Sequence, residues 1–243
     1  MKKYLYETHL HTSPVSRCAT GKVRDHLEHY KRLGYAGVFI TNHFIDGNMD
    51  FDKSRPYEEQ IEFYFSDYEE AVKIGREIGI SVFSSIESSY QGADFLIFGL
   101  DKAWFLAHPE IMEFERKGDQ LAKMREAGAL VIHAHPFYYY QKYHDHIKLY
   151  PGHVDGVEVY NAHRTDLVNE MARLYTELYG LIPFAGSDNH DSTRERLLGG
   201  MSCDVLIKDE ADFITRVKNG ELEPFKTTVD ELRATSEEAP AGK

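Results

Sequence analysis

Residues 4–43 read as one strand–helix–strand unit: YLYETHLH (Tyr4 to His11), VRDHLEHYKRL (Val23 to Leu33) and AGVFITNH (Ala36 to His43). The outer runs are short and rich in Val, Ile, Phe and Tyr, as strands are, and the middle run carries the apolar spacing of a helix. Gly34 stands just past that helix, where a residue able to adopt φ > 0 ends it. The unit predicts two parallel strands joined by a helical crossover.

The same grammar continues outward. Strand-like runs recur at Ile80 to Glu87, Asp94 to Leu100, Ala129 to His135, Val154 to Tyr160 and Ile182 to Asp188. Helical patterns fill most gaps, at Gln60 to Ile78, Gly118 to Glu126 and Asp166 to Tyr179, with a further one at Glu210 to Lys218. Gly79, Gly128 and Gly180 again follow helix ends. Seven strands alternating with helices predict a single α/β domain, a barrel or barrel-like sheet, over residues 1–233. The last ten residues, ATSEEAPAGK, read as a frayed tail.

Composition narrows the function. The 243 residues carry 28 lysines and arginines against 40 acids, a net charge of −12, so the chain lacks the positive footprint of a protein that wraps long nucleic acid. No apolar run is long enough for a membrane span and the start has no secretory h-region. Two cysteines make a disulfide framework improbable; the expected compartment is the cytoplasm.

Thirteen histidines are an excess, and their placement is informative. His9 and His11 close the first strand and His43 the second. Glu87 closes the third and His135 the fifth, Glu158 lies near the end of the sixth, and Asp188 and His190 end the seventh. In a parallel α/β barrel all strand C-termini share one face, so these residues would converge on one mouth. Two histidines at i and i+2 on a strand point the same way and can reach one ion. A carboxylate such as Glu87 at a buried strand end needs a cation or hydrogen-bond donors. His9, His11, His43, Glu87, His135, Asp188 and His190 are therefore candidate metal ligands. Mixed imidazole and carboxylate donors suit Zn, Fe or Mn.

The remaining histidines are assigned less active places. His133 is read as a supporting or core residue and His26 and His29 as a solvated helix face. His144 and His146 are read as a surface loop, and His108, His153 and His163 as structural. No nucleophile elbow and no phosphate-binding P-loop is present. Cys18, in the loop after the first His-x-His, is a candidate ligand or pocket residue. Arg17 and Arg164, on loops expected at the mouth, offer bidentate forks for a phosphate.

HLHT, TNH, the IE of the third strand, AHP and GSDNH, in that order, resemble the motifs of the PHP family, named for polymerase and histidinol phosphatase. The resemblance spans Tyr4 to about Gly200. It implies a distorted (β/α)7 TIM-like barrel holding two or three divalent metals. His9, His11, Glu87 and Asp188 would surround the first, Glu87 and His135 the second, and His43 with His190 the third. It also favours Glu158 and Asn161 as residues near substrate. Three departures stand out: Asn42 where the family has Asp, no histidine or acid from Ser13 to Cys18, and no histidine near Leu100 or Asp101.

The leading reading is a metal-dependent phosphoesterase, histidinol-phosphatase-like or nucleotide-directed. It would cleave a small phosphomonoester by attack of a hydroxide shared between two metals, with Asp188 and His190 moving protons. The alternatives are a nuclease-type phosphodiesterase, an amide or lactone hydrolase, and a non-catalytic metal-binding regulatory or structural module.

Overall fold

The computed structural model describes residues 3–139 and 146–237. The strands among them are β1 (Tyr4–Glu7), β2 (Gly37–Ile40), β3 (Ser81–Tyr90), β4 (Ala93–Phe98), β5 (Leu130–Ala134), β6 (Gly156–Asn161), β7 (Ile182–Gly186), β8 (Leu197–Cys203) and β9 (Leu222–Thr228). They form one sheet in the order β7-β6-β5-β4-β3-β2-β1-β8-β9. An isolated parallel bridge between Leu10 and Asn189, just past β1 and β7, draws the two flanks together. The result is an α/β fold with a nearly closed, barrel-like sheet.

The helices are α1 (Val23–Arg32), α2 (Tyr57–Ile78), α3 (Lys102–Ala107), α4 (Lys117–Glu126), α5 (Asp166–Tyr179), α6 (Glu210–Lys218) and α7 (Val229–Glu237). Local chemistry sets their ends. Thr165 Oγ1 accepts the Val168 N–H at the start of α5, and Gly180 ends it in the left-handed conformation. Asp209 caps α6 in the same manner as Thr165 caps α5. None of these helices is long and apolar enough to cross a membrane.

An aromatic cluster fills the barrel interior. Phe39 stacks on Phe83 with centroids 4.7 Å apart, Phe213 approaches Phe39 at 4.4 Å, and Phe98 meets Phe184 at 5.3 Å. All five are buried, each contributing about 1.5–3 kcal/mol relative to exposure. Phe39, Phe83 and Phe184 lie four residues before His43, Glu87 and Asp188 on their respective chains, so the packed plug anchors the segments that carry those polar side chains.

The structure corrects several expectations. β4 runs antiparallel to both β3 and β5. Only Gln91 and Gly92 separate β3 from β4, with φ of +48° and +87°, a two-residue hairpin too short for any crossover. β1 stops at Glu7 and β3 runs on to Tyr90, so neither His9 and His11 nor Glu87 closes a strand as expected. β8 and β9 are additional, antiparallel to β1 and β8 respectively. The glycine pair inside β8 weakens its strand signal, yet a Cβ on Gly200 would lie 2.1 Å from Tyr6 O. The helix α7 extends to Glu237 through residues expected to be frayed.

Candidate metal centre

The carboxylate of Glu7 sets the local backbone. It is wholly buried, and its Oε1 accepts the N–H groups of Thr8 (3.0 Å), His9 (2.9 Å) and Ser187 (3.0 Å), while Oε2 accepts the Ser187 hydroxyl. The segments after β1 and β7 are thereby tied together, which puts His9 and His11 beside Asp188 although they lie beyond the strand. Nothing in the His-x-His pattern pointed to Glu7; its only signal is an acid inside an apolar strand run.

Glu87 forms the hub. Its Oε1 is 3.1 Å from His9 Nε2 and 3.5 Å from His135 Nε2, and its Oε2 is 3.5 Å from His11 Nε2 and 2.6 Å from His43 Nδ1. Asp188 Oδ1 lies 3.5 Å from His9 Nε2 and 3.4 Å from His11 Nε2. Three overlapping groups have donor atoms within 4.8 Å of one another: His9, His11 and Asp188; His9, Glu87 and His135; His11, His43 and His190. All seven candidate ligands are thus brought together, with His11 rather than an acid completing the corner that holds His43 and His190.

The donors fit a bound cation. His9 Nε2, His11 Nε2, His43 Nδ1 and Glu87 Oε2 are buried without an aligned hydrogen-bond partner. Leaving a buried polar group unsatisfied costs about 1–3 kcal/mol, and a divalent ion between these atoms removes that cost. His135 and Asp188 also hold φ of +28° and +58°, a conformation that costs non-glycine residues about 1–3 kcal/mol and gathers at functional sites.

Outer hydrogen bonds orient the rings. His9 Nδ1 donates to Glu158 Oε1 at 2.9 Å, which turns Nε2 inward, bare of an aligned hydrogen-bond partner. Ser16 Oγ donates to Asn42 Oδ1 at 2.8 Å, so at 3.1 Å it must accept from His11 Nδ1, and His11 Nε2 is also bare. Asn42 therefore serves as the acceptor at the family's Asp position. A carboxylate is still close by: Asp67 on α2 accepts from Thr12 Oγ1 at 2.7 Å and from Asn42 Nδ2 at 3.3 Å. His190 Nδ1 donates to the Asp188 carbonyl at 2.7 Å.

Protonation follows these contacts. Burial pushes the Glu87 carboxyl up, but His43, His11 and His9 together hold it well below the usual range. Asp188 is likewise held low against burial by His9, His11 and Arg164. Burial, with His190 and His43 as neighbours, drives His11 well below its ordinary value, so it is neutral and competent as a ligand.

Glu158 and Asn161, expected near substrate, have no solvent-facing surface. Both are fully buried: Glu158 Oε2 accepts from the His135 N–H (3.0 Å) and from Asn161 Nδ2 (2.9 Å), and Asn161 Nδ2 also reaches Asp188 Oδ2 (3.2 Å). Their place is behind the ligands, holding them. We expect Glu158→Gln to weaken metal affinity roughly 10–100-fold while the fold persists, measured by competition with a chelating dye. Unchanged affinity would remove Glu158 from the holding role.

Arg164 stands at the edge of the cluster. Its Nη2 is 2.9 Å from Asp188 Oδ2 and its guanidinium lies 3.8 Å over the Tyr138 ring. Arg17 points elsewhere, its exposed side chain paired with Asp50 at 2.8 Å. The Cys18 thiol hydrogen-bonds His190 and His43; burial would raise its pKa, but those imidazoles bring it down to about 6.

Of the other histidines, His26 and His29 diverge from expectation. His26 and His29 are buried, not solvated: His26 Nδ1 bonds Ser192 Oγ and burial takes the ring down to about 3, while His29 packs edge-on to Tyr30. His133 is a core residue, stacked on Phe95 at 5.0 Å, because His135 leaves the strand and the two rings part. His163, expected to be structural, bonds Ser187 O (3.0 Å) and Glu195 (2.9 Å) and meets His190 edge-on. His146 is exposed and His144 lies outside the described residues. Leu100 and Asp101 sit at the end of β4 remote from Glu87, because that strand is reversed. The end beside Ser89 carries Asp94, whose carboxyl is pushed up by burial and by Glu87.

Comparison with known proteins bears on the fold. No family model matches the chain, and no curated protein matches it in sequence. Solved structures do match. A two-domain protein from Bacteroides vulgatus containing a predicted PHP-like metal-dependent phosphoesterase aligns with a TM-score of 0.68 and 14% identity over 92% of this chain. The fold is shared with PHP-like proteins. The chain spans 65% of that two-domain protein. PsfC from Pseudomonas syringae aligns with a TM-score of 0.58 and 15% identity, covering 98% of this chain and 97% of its own. An amidohydrolase from Chromobacterium violaceum, solved with sulfate and no metal, gives 0.51 and 13%, covering 90% and 97%.

Proposed function

We propose that the protein is a metal-dependent hydrolase acting on a small phosphomonoester. The observation that carries this reading is the convergence of His9, His11, His43 and Glu87, each with a buried donor atom that lacks an aligned hydrogen bond, beside the guanidinium of Arg164. When bound, divalent cations supply Lewis acidity toward a phosphoryl oxygen and make water a stronger acid.

The chain's own residues divide the remaining work. Arg164 turns a planar fork toward the edge of the cluster, where it can take a non-bridging phosphate oxygen. Asp188 stays ionised and orients the His9 and His11 side of the centre. His190 is the better proton donor to the leaving oxygen, because its side chain is 27% exposed against 4% for Asp188 and its pKa is raised. Burial opposes that rise, and Cys18 and Asp188 outweigh it. The absence of a basic stripe favours a mononucleotide-sized ester over a long polymer.

The experiment is metal content on protein purified without chelator, beside phosphate release from p-nitrophenyl phosphate, histidinol phosphate and mononucleotides. Two equivalents with release support the reading and leave His190 free to carry the proton; three would engage it as a ligand. One equivalent or less, with no release after Mn or Zn is restored, would replace the enzyme with a regulatory or structural module.

A further inference from the structure

A thiol sits beside the corner where three imidazoles meet. The donor group formed by His11, His43 and His190 has no acid among its members. His11 stacks on His190 with centroids 4.3 Å apart and lies 4.5 Å from the His43 ring. It is fully buried, and with Nδ1 held by Ser16 its free atom is Nε2, which lacks an aligned hydrogen-bond partner. From Thr12 to Lys22 the sole thiol, imidazole or carboxylate is Cys18. Its thiol hydrogen-bonds both His190 and His43.

The backbone holds Cys18 at that corner. Two residues earlier, Ser16 Oγ accepts the His43 N–H at 3.0 Å, and the Ala19 N–H closes a turn onto Ser16 O at 3.0 Å. Two and three residues later, the N–H groups of Thr20 and Gly21 donate to the His190 carbonyl at 3.1 and 2.9 Å. The loop is thus pinned to the segments of both imidazoles, with Cys18 between the pins.

Given the metal-centre reading proposed above, we infer that Cys18 is a thiolate ligand for a cation shared with His43 and His190, and makes this corner selective for thiophilic metals. Zn and Co accept mixed sulfur and imidazole donors, whereas Mn prefers carboxylate, carbonyl and water oxygens. A coordinating thiol loses its proton to solvent, so Cys18 supplies the negative charge that neutral imidazole ligands do not. With Zn in this corner His190 is a ligand, as three equivalents require. With Mn the corner stays open and His190 keeps its proton role.

Cobalt reconstitution of the full chain tests the assignment. Wild-type protein should take up three equivalents of Co(II) and show a sulfur-to-cobalt charge-transfer band in the near ultraviolet. Cys18→Ser should take up two and lose the band, while Cys203 stays in place with its thiol on the Glu221 carbonyl. A second measurement needs no variant, because Cys18 is exposed and Cys203 buried. Thiol labelling of the wild-type chain should slow at least about tenfold when Zn is bound and keep its rate with Mn. Cobalt uptake without the band, or a band that survives Cys18→Ser, would overturn the inference and leave the metal centre standing. So would labelling at the same rate with Zn bound. A chain that takes up neither cobalt nor zinc would overturn the metal-centre reading along with it.

Discussion

Asp188→Asn should lower phosphate release by at least about 10³-fold, the scale of losing a preorganised charge from a hydrolytic centre. The replacement has almost the same size, and asparagine tolerates the left-handed backbone that Asp188 occupies at φ +58°. Shape and strain are therefore held constant and only the charge is removed. That charge lies 3.4–3.5 Å from two imidazole nitrogens and 2.9 Å from Arg164. Metal content should fall with activity, because a neutral amide is a much poorer ligand than a carboxylate. Release within tenfold of wild type at unchanged metal content would show that Asp188 does not face the reaction.

Removing Glu7 should cost more stability than removing any ligand-facing residue. Glu7→Ala strips the acceptor from three backbone N–H groups and from the Ser187 and Tyr30 hydroxyls in a site without solvent access. The expected loss is about 3–5 kcal/mol, a fall in melting temperature of roughly 10 °C for a chain of this size. Metal content should fall too, since the backbone of His9 and of the residue before Asp188 loses its common anchor. A thermal melt by circular dichroism reads the first effect and metal analysis the second. A melting temperature within about 2 °C of wild type would mean that water replaces the carboxylate without penalty.

The candidate ligands were legible because their chemistry is local. Histidine and acid at the ends of apolar runs are rare by chance, and their order along the chain matches one family's motifs. The limits of α5 and α6 were legible for the same reason, since a cap and a stop act within one turn. β8 was not, because its Gly200 answers to Tyr6, a residue nearly two hundred positions away. The burial of His26 has the same origin: the Ser192 that receives it comes from the loop after β7.

What the sequence alone determined is the set of donors and the alternation that brings strand ends to one face. Only the tertiary structure decided which atoms of those donors are bare. Whether His11 offers Nε2 depends on Ser16 and Asn42, and whether His9 does depends on Glu158, a contact across 149 positions. Glu158 and Asn161, expected near substrate, lie instead against the far side of the candidate ligands. Side-chain type is written in the chain, but the direction of a lone pair is fixed by the partner on its other side, and folding alone brings that partner near.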